Sequence, residues 1–227
     1  MLPLKNQCFA LLPEYIRTAL RPHLTLTEVH KGITLASLVR EPTLYFPITC
    51  VLAITATATD EKGAFLRFAS TGVAIGLQPA MSNEPVRSEA VVCGAGYLFF
   101  IPSSVVWDLL ASPSVLEASY MNLVRAIASR ALIQSFCASS HSISQRLATM
   151  LLSAEDEFGR GSEISLSQSE IAHWMFVRRE SIANFLADWS GRGVIATGRS
   201  KIVINDRDWL QVHGCTCYGN PPTGVGD

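Results

Sequence analysis

Residues 178–184 read Arg-Arg-Glu-Ser-Ile-Ala-Asn, and four of these side chains are of the types that pair with base edges. An arginine guanidinium makes a bidentate bond to guanine O6 and N7. A glutamate accepts from cytosine N4, and an asparagine pairs with adenine N6 and N7. On a helix, Arg179, Glu180 and Asn184 share one face with Ala183 and Ala187. The alanines are small enough for close approach to a groove. Each such pair would discriminate by about 1–3 kcal/mol.

A second helix must hold that face in place. Ser167-Gln168-Ser169-Glu170 has the capping-box pattern, so a helix is expected to start there with Ile171, Ala172 and Met175 on its buried side. A break near Phe176-Val177 leads into the helix carrying Arg179, whose Ile182, Phe185, Leu186 and Trp189 form an apolar face. Two short helices joined by a tight turn match the helix-turn-helix pattern. The second helix would enter the DNA major groove. The next segment, "GRGVIATGRSKIVIN", reads as a hairpin turning at Gly198–Lys201. A basic hairpin in that place is a wing. Contacts to phosphate are assigned to Ser167, Gln168, Ser169, Arg178, Ser181, Arg199 and Lys201, with Arg192 as a further candidate. Two helices at this spacing also occur in ordinary bundles; the Arg-Arg-Glu-Ser start and the basic hairpin favour DNA.

The rest of the 227-residue chain has two other characters. Residues 1–30 read as a short helical lead. Residues 31–104 are rich in β-branched and aromatic runs separated by Gly turns, which suggests an antiparallel barrel or roll. Residues 113–137 read as one helix, roughly 37 Å long at 1.5 Å per residue. Leu116, Tyr120, Leu123 and Ile127 follow coiled-coil-like spacing, and the seam weakens at Arg130 and Gln134. A helix packing on its own domain and a dimer helix both fit. The fold class expected is α+β: an N-terminal antiparallel β-roll of the cupin-like jelly-roll kind, a long dimerisation helix and a C-terminal winged helix-turn-helix. The boundaries expected are 1–112, 113–137, 138–213 and a tail over 214–227.

At "LSQSEIAHWMFVRRESIANFLADWSGRGVI" followed by "GRSKIVI", the chain resembles the CRP/FNR family of bacterial transcription regulators. "LYFPITCVLAI", "DEKG" and "GYLFFIP" are similar to strands of that family's cyclic-nucleotide-binding-like roll. "CTCYG" is similar to a C-terminal Cys-x-Cys-Tyr of one subgroup. Six scattered cysteines and the lack of a secretory signal pattern point to a reducing cytoplasm, and the resemblance implies a homodimer paired through the long helix. It also implies double-stranded, palindromic DNA as partner, with RNA polymerase as a second partner if the protein activates. It places Arg179, Glu180 and Asn184 in base-reading positions. Two departures stand out. Phe176 occupies the turn position where glycine is usual, and a left-handed backbone there costs a non-glycine residue roughly 1–2 kcal/mol. Arg178 stands where a serine often caps the recognition helix, a loss of typically about 1 kcal/mol.

The family's cyclic-nucleotide cassette pairs a glutamate with an Arg-Ser/Thr. Here Gly72, Gly76, Arg87 and Ser88 remain as a weak effector pocket, but Val73 and Leu77 follow the glycines and no glutamate takes the ribose. The erosion makes DNA binding without an effector the expectation. An N-terminal iron–sulfur cluster is excluded by count, because only Cys8 lies there. His213, Cys215 and Cys217 offer three ligands in five residues, but zinc prefers wider Cys spacing and needs a fourth ligand. The tail is read as packing, with a redox thiol pair as a further reading, and no metal or cofactor is assigned. No nucleophile elbow, Walker loop or His-Glu-x-x-His is present, so no enzyme activity is expected. A net charge of −1 argues against a general nucleic-acid coat, and no apolar run is long enough for a membrane span. The rival reading is a small-molecule or redox-sensing module whose DNA-binding domain has decayed.

Overall fold

The computed structural model describes residues 6–39, 41–56, 63–76, 88–109, 128–129 and 132–219. Two compact units divide the chain: Met1–Glu61 with Ala69–Leu123, and Lys62–Phe68 with Val124–Asp227.

The N-terminal part opens with helices α1 (Gln7–Ala10) and α2 (Glu14–Leu20). Asn6 caps α1 and is fully buried, because its side chain works in two directions. Its Oδ1 accepts from the Phe9 amide at 2.9 Å, and its Nδ2 donates to the carbonyls of Pro47 and Val73. The expected helical lead ends sooner than residue 30: Thr25–Val29 is strand β1. Only Val29 of this strand is buried, and the strand pairs antiparallel with β6 (Gly96–Pro102).

Strands β2 (Thr43–Pro47), β3 (Val51–Ala56), β4 (Ala64–Ala69) and β5 (Ser88–Gly94) complete two antiparallel sheets, ordered β1-β6-β2 and β4-β3-β5. Every residue of β2 is buried, so its run carries no polar alternation. One core lies around Val29, Tyr45, Leu52, Val92 and Leu98, where the Tyr45 hydroxyl donates to the Leu35 carbonyl at 2.9 Å. A second lies around Phe9, Ile16, Phe46 and Ile101, next to helix α3 (Ser103–Leu109). The β5–β6 turn needs Gly96, because a Cβ there would meet the Cys50 amide nitrogen at 2.7 Å.

In the second unit, residues 132–140 are helical, and α4 (Ile143–Phe158) follows. Ser142 and Gln145 form a reciprocal capping box at its start, and Gly159 in the positive-φ region ends it. Then come α5 (Gln168–Met175), α6 (Arg179–Gly191), the hairpin β7 (Ile195–Gly198) and β8 (Lys201–Ile204), and α7 (Arg207–His213). A bridge between Ile164 and Ile202 adds a short third strand. Trp189, Ile182, Leu186, Ile164, Leu166, Ile202 and Leu210 are buried in this unit. The fold is α+β: N-terminal antiparallel sheets, and a C-terminal helix-turn-helix with a wing.

Among the described residues, no helix is long and apolar enough to cross a membrane. The dimer-seam residues Leu116, Tyr120, Leu123 and Ile127 lie outside the described residues, as does Arg87 of the effector pocket.

Candidate nucleic-acid interface

Ser167 accepts from the Glu170 amide at 3.2 Å, and the Glu170 carboxylate accepts from the Ser167 amide at 2.7 Å. This reciprocal pair fixes the start of α5. The amides of Gln168 and Ser169 also belong to the first turn, where a helix offers its N–H groups no internal acceptor. They face the positive end of the helix dipole, where an anion is favoured.

The turn after α5 is left-handed at Phe176, with φ 54° and ψ 46°. The Val177 amide donates to the Ala172 carbonyl at 3.0 Å and the Phe176 amide to the His173 carbonyl at 3.2 Å. This is a Schellman closure, built here on phenylalanine instead of glycine. A third carbonyl is met from outside: Arg146 of α4 donates to the Met175 carbonyl at 2.9 Å. The Phe176 ring is 69% exposed, so packing of that side chain offsets little of the backbone strain.

Arg178 is the N-cap of α6 in extended conformation, and its side chain makes no capping bond. It is exposed and free to reach outward. Arg179, Glu180, Asn184 and Ala187 are also exposed, Ala183 and Ser181 are half-buried, and Ile182, Leu186 and Trp189 point into the core. The 3.6-residue period thus divides α6 into a core face and a polar outer face. Phe185 is half-buried and its ring lies 6.3 Å from that of Trp189.

Between the start of α5, the start of α6 and the hairpin lies an open cleft of about 330 Å³. Ser167, Gln168, Ser169, Arg179, Arg199 and Lys201 all line it. Six residues assigned from sequence to base or phosphate contact therefore share one concavity. Arg178, Glu180, Ser181 and Asn184 are not among its lining residues. Lys201 is paired with Glu163 at 2.5 Å, and Arg192 with Asp188 at 3.0 Å, so these two cations already have partners. Ser200, at the hairpin tip, has a positive φ of 57°.

Two acidic residues of α4, Glu155 and Asp156, have a structural task. Glu155 is buried and accepts from the Gly161 amide at 3.1 Å and from Arg207; Arg207 also bonds Asp156 at 2.7 Å and contacts the Tyr218 hydroxyl. Tyr218 in turn donates to Asp156 at 2.9 Å.

In the N-terminal unit, Gly76 has a φ of 93°, and a Cβ there would sit 2.0 Å from the Thr43 carbonyl oxygen. Its glycine is demanded by the fold. Gly72 has no such neighbour closer than Gln7 at 3.6 Å, and Ser88 opens β5 opposite Ala56.

Sequence reasoning missed one cluster. The C-terminal Cys215 and Cys217 meet Cys137 and His141, and the candidate ligand atoms of all four lie within 4.8 Å of one another. His213, which the sequence places beside the two tail cysteines, is elsewhere. Its ring stacks on Trp209 at 3.8 Å and its Nδ1 lies 2.8 Å from the Trp209 carbonyl. The hydrogen bond from Cys137 pulls the Cys215 thiol down to about 5, against burial, and Thr149 adds to the lowering. The same bond, with burial, pushes Cys137 up. The spacing Cys137-x₃-His141 was legible in the sequence, but only the fold brings it to the tail.

These elements define a winged helix-turn-helix unit following antiparallel sheets. Residues 145–212 match the family model of the Crp-like helix-turn-helix domain, and this segment is a domain of that kind. The fold of the chain is that of CRP/FNR regulators. A protein of Eubacterium rectale assigned to the CRP/FNR family is similar at 17% identity, over 92% of this chain and 98% of that one, with a TM-score of 0.70. FixK2 from Bradyrhizobium japonicum is similar at 15% identity, over 85% and 98%, with a TM-score of 0.66. The c-di-GMP-responsive global regulator CLP of Xanthomonas campestris is similar at 16% identity, over 83% and 97%, with a TM-score of 0.62. No curated protein sequence matches the chain.

Proposed function

We propose that this protein is a sequence-specific DNA-binding transcription regulator that acts as a homodimer on palindromic sites. The carrying observation is the cleft that gathers the α5 start, Arg179, Arg199 and Lys201 in one place. Its donors suit a phosphate, and the exposed Arg179, Glu180 and Asn184 beside it suit base edges. Arg179 works at the border of both tasks. Arg178, uncapped and exposed, grips a phosphate instead of closing its helix.

A homodimer follows from the expected seam at Leu116, Tyr120, Leu123 and Ile127. It would place two recognition helices about 34 Å apart, one turn of the duplex. Half-sites would then repeat at about 10 base pairs. RNA polymerase is a second partner only if the protein activates. The absence of a ribose-binding glutamate after Gly72 and Gly76 supports DNA binding without a cyclic nucleotide.

The test is selection from a random duplex library by the purified full-length protein, without ligand, at moderate salt. Enrichment of a palindrome is the expected result. An enriched site lacking two-fold symmetry would sink the homodimer reading. No enrichment with or without cyclic nucleotide would sink sequence-specific binding and favour the decayed-domain rival.

A further inference from the structure

Cys137 and His141 stand four residues apart where the helical segment 132–140 ends, and the His141 amide donates to the Cys137 carbonyl at 3.2 Å. That spacing puts both side chains on one helical face. Cys215 and Cys217 come from the turn after α7. Gly214 lets this turn lie close to its helix, since a Cβ there would meet the Leu210 carbonyl oxygen at 2.9 Å. The Cys137 and Cys215 sulfurs are 3.5 Å apart, and the Cys217 sulfur is 3.7 Å from His141 Nδ1.

These separations suit one central ion. Zinc takes thiolate at about 2.3 Å and imidazole at about 2.0–2.1 Å, so neighbouring ligands of a tetrahedron lie roughly 3.5–3.8 Å apart. We propose that Cys137, His141, Cys215 and Cys217 hold one zinc ion in a closed Cys₃His site, which fastens the C-terminal segment to the end of helix 132–140.

Ligand chemistry and surroundings support this choice. Three soft sulfurs and one imidazole select zinc over magnesium or calcium, which take oxygen ligands. Four protein ligands leave no open position, so the site is structural. Cys137 and Cys215 are 6% and 5% exposed, and a buried thiolate needs a cation or strong donors beside it. The Thr149 hydroxyl supplies one donor. It accepts from the Cys215 amide at 3.0 Å, which leaves its own proton for the Cys215 sulfur at 3.0 Å. Such outer contacts orient metal ligands. The Phe136 ring meets His141 edge-on at 5.6 Å and limits its rotation. On binding, zinc displaces the thiol protons to solvent, three if all thiols start protonated, and no electron moves.

The competing chemistry is a Cys137–Cys215 disulfide, with the loss of two protons and two electrons to an external oxidant. It would leave Cys217 and His141 without a task. The experiment uses the full-length protein, expressed with zinc in the medium and purified under reducing conditions without chelator. Elemental analysis is expected to give one zinc per chain. Cobalt exchanged into the site is expected to show tetrahedral d–d bands with sulfur-to-metal charge transfer. His141→Ala and Cys217→Ser change half-buried residues and are expected to lose the ion while retaining far-UV circular dichroism. Substoichiometric zinc without cobalt bands in folded protein would overturn the site, as would a Cys137–Cys215 disulfide in that reduced preparation. Zinc retained in both variants would overturn the ligand assignment. Metal content is read independently of DNA binding, so failure here leaves the regulator reading untouched.

Discussion

The Lys201 ammonium lies on the Glu163 carboxylate, beside the tip of the wing, with both side chains 55% exposed. A duplex phosphate and Glu163 therefore compete for the same cation. An exposed pair of this kind contributes only about 0.2–1 kcal/mol, so DNA can displace it. Glu163→Gln is expected to tighten binding to any duplex by roughly two- to five-fold. It is also expected to steepen the salt dependence by at most about 0.9 in log–log slope. Fluorescence anisotropy over a range of salt concentrations reads both. Unchanged affinity at every salt concentration would mean that Glu163 does not compete for Lys201.

Arg179 and Lys201 should fail differently. Arg179→Ala is expected to relax the preference at one base position, with a loss of about 1–3 kcal/mol of discrimination. Lys201→Ala is expected to weaken all duplexes alike and to lower the salt slope by about 1. Competition between the selected site and single-base variants separates the two. Equal loss on all sequences for Arg179→Ala would move that residue from base to phosphate.

Phe176 holds a left-handed backbone with its ring in solvent. Phe176→Gly is expected to stabilise the protein by about 1 kcal/mol, because glycine removes the Cβ clash. A rise in the midpoint of thermal or urea unfolding checks it. Weaker DNA binding in the same variant would reveal a contact made by the ring.

Arg207 joins Glu155, Asp156 and Tyr218, with Glu155 only 3% exposed. Arg207→Met leaves a buried carboxylate with the Gly161 amide as its remaining donor among these contacts. The expected cost is about 3–5 kcal/mol, because removing one partner leaves an uncompensated buried charge. Urea unfolding of the variant beside the parent protein measures this. A cost under about 1 kcal/mol would mean that the cluster relaxes into water.

Much of the DNA-binding unit was legible in the sequence because its signals are local. The Ser167–Glu170 box, the apolar period of α6 and the Gly198–Lys201 turn each depend on residues within a few positions. Phe176 was legible as an exception, and the structure resolves it as a Schellman closure with Arg146 supplying a long-range donor. Strand β1 was taken for helical lead because its partner, β6, lies some seventy residues onward. The Cys/His cluster failed for the same reason. His213 was the near neighbour in sequence, but its ring had Trp209 to stack on, and the true companions were 78 positions away. Pairings that span the chain leave no periodic trace.

The Tyr218 clasp has a consequence for biogenesis. Asp156 leaves the ribosome long before Tyr218, and Thr149 long before Cys215. Through most of synthesis, α4 therefore presents its acidic end with neither tail contact available. Those bonds close only once residues 215–218 have been made and have emerged. A nonsense mutation or proteolytic cut that removes residues from 215 onward would spare every side chain proposed above to face DNA. It would nonetheless leave the unit in the unclasped form that every newly made copy passes through.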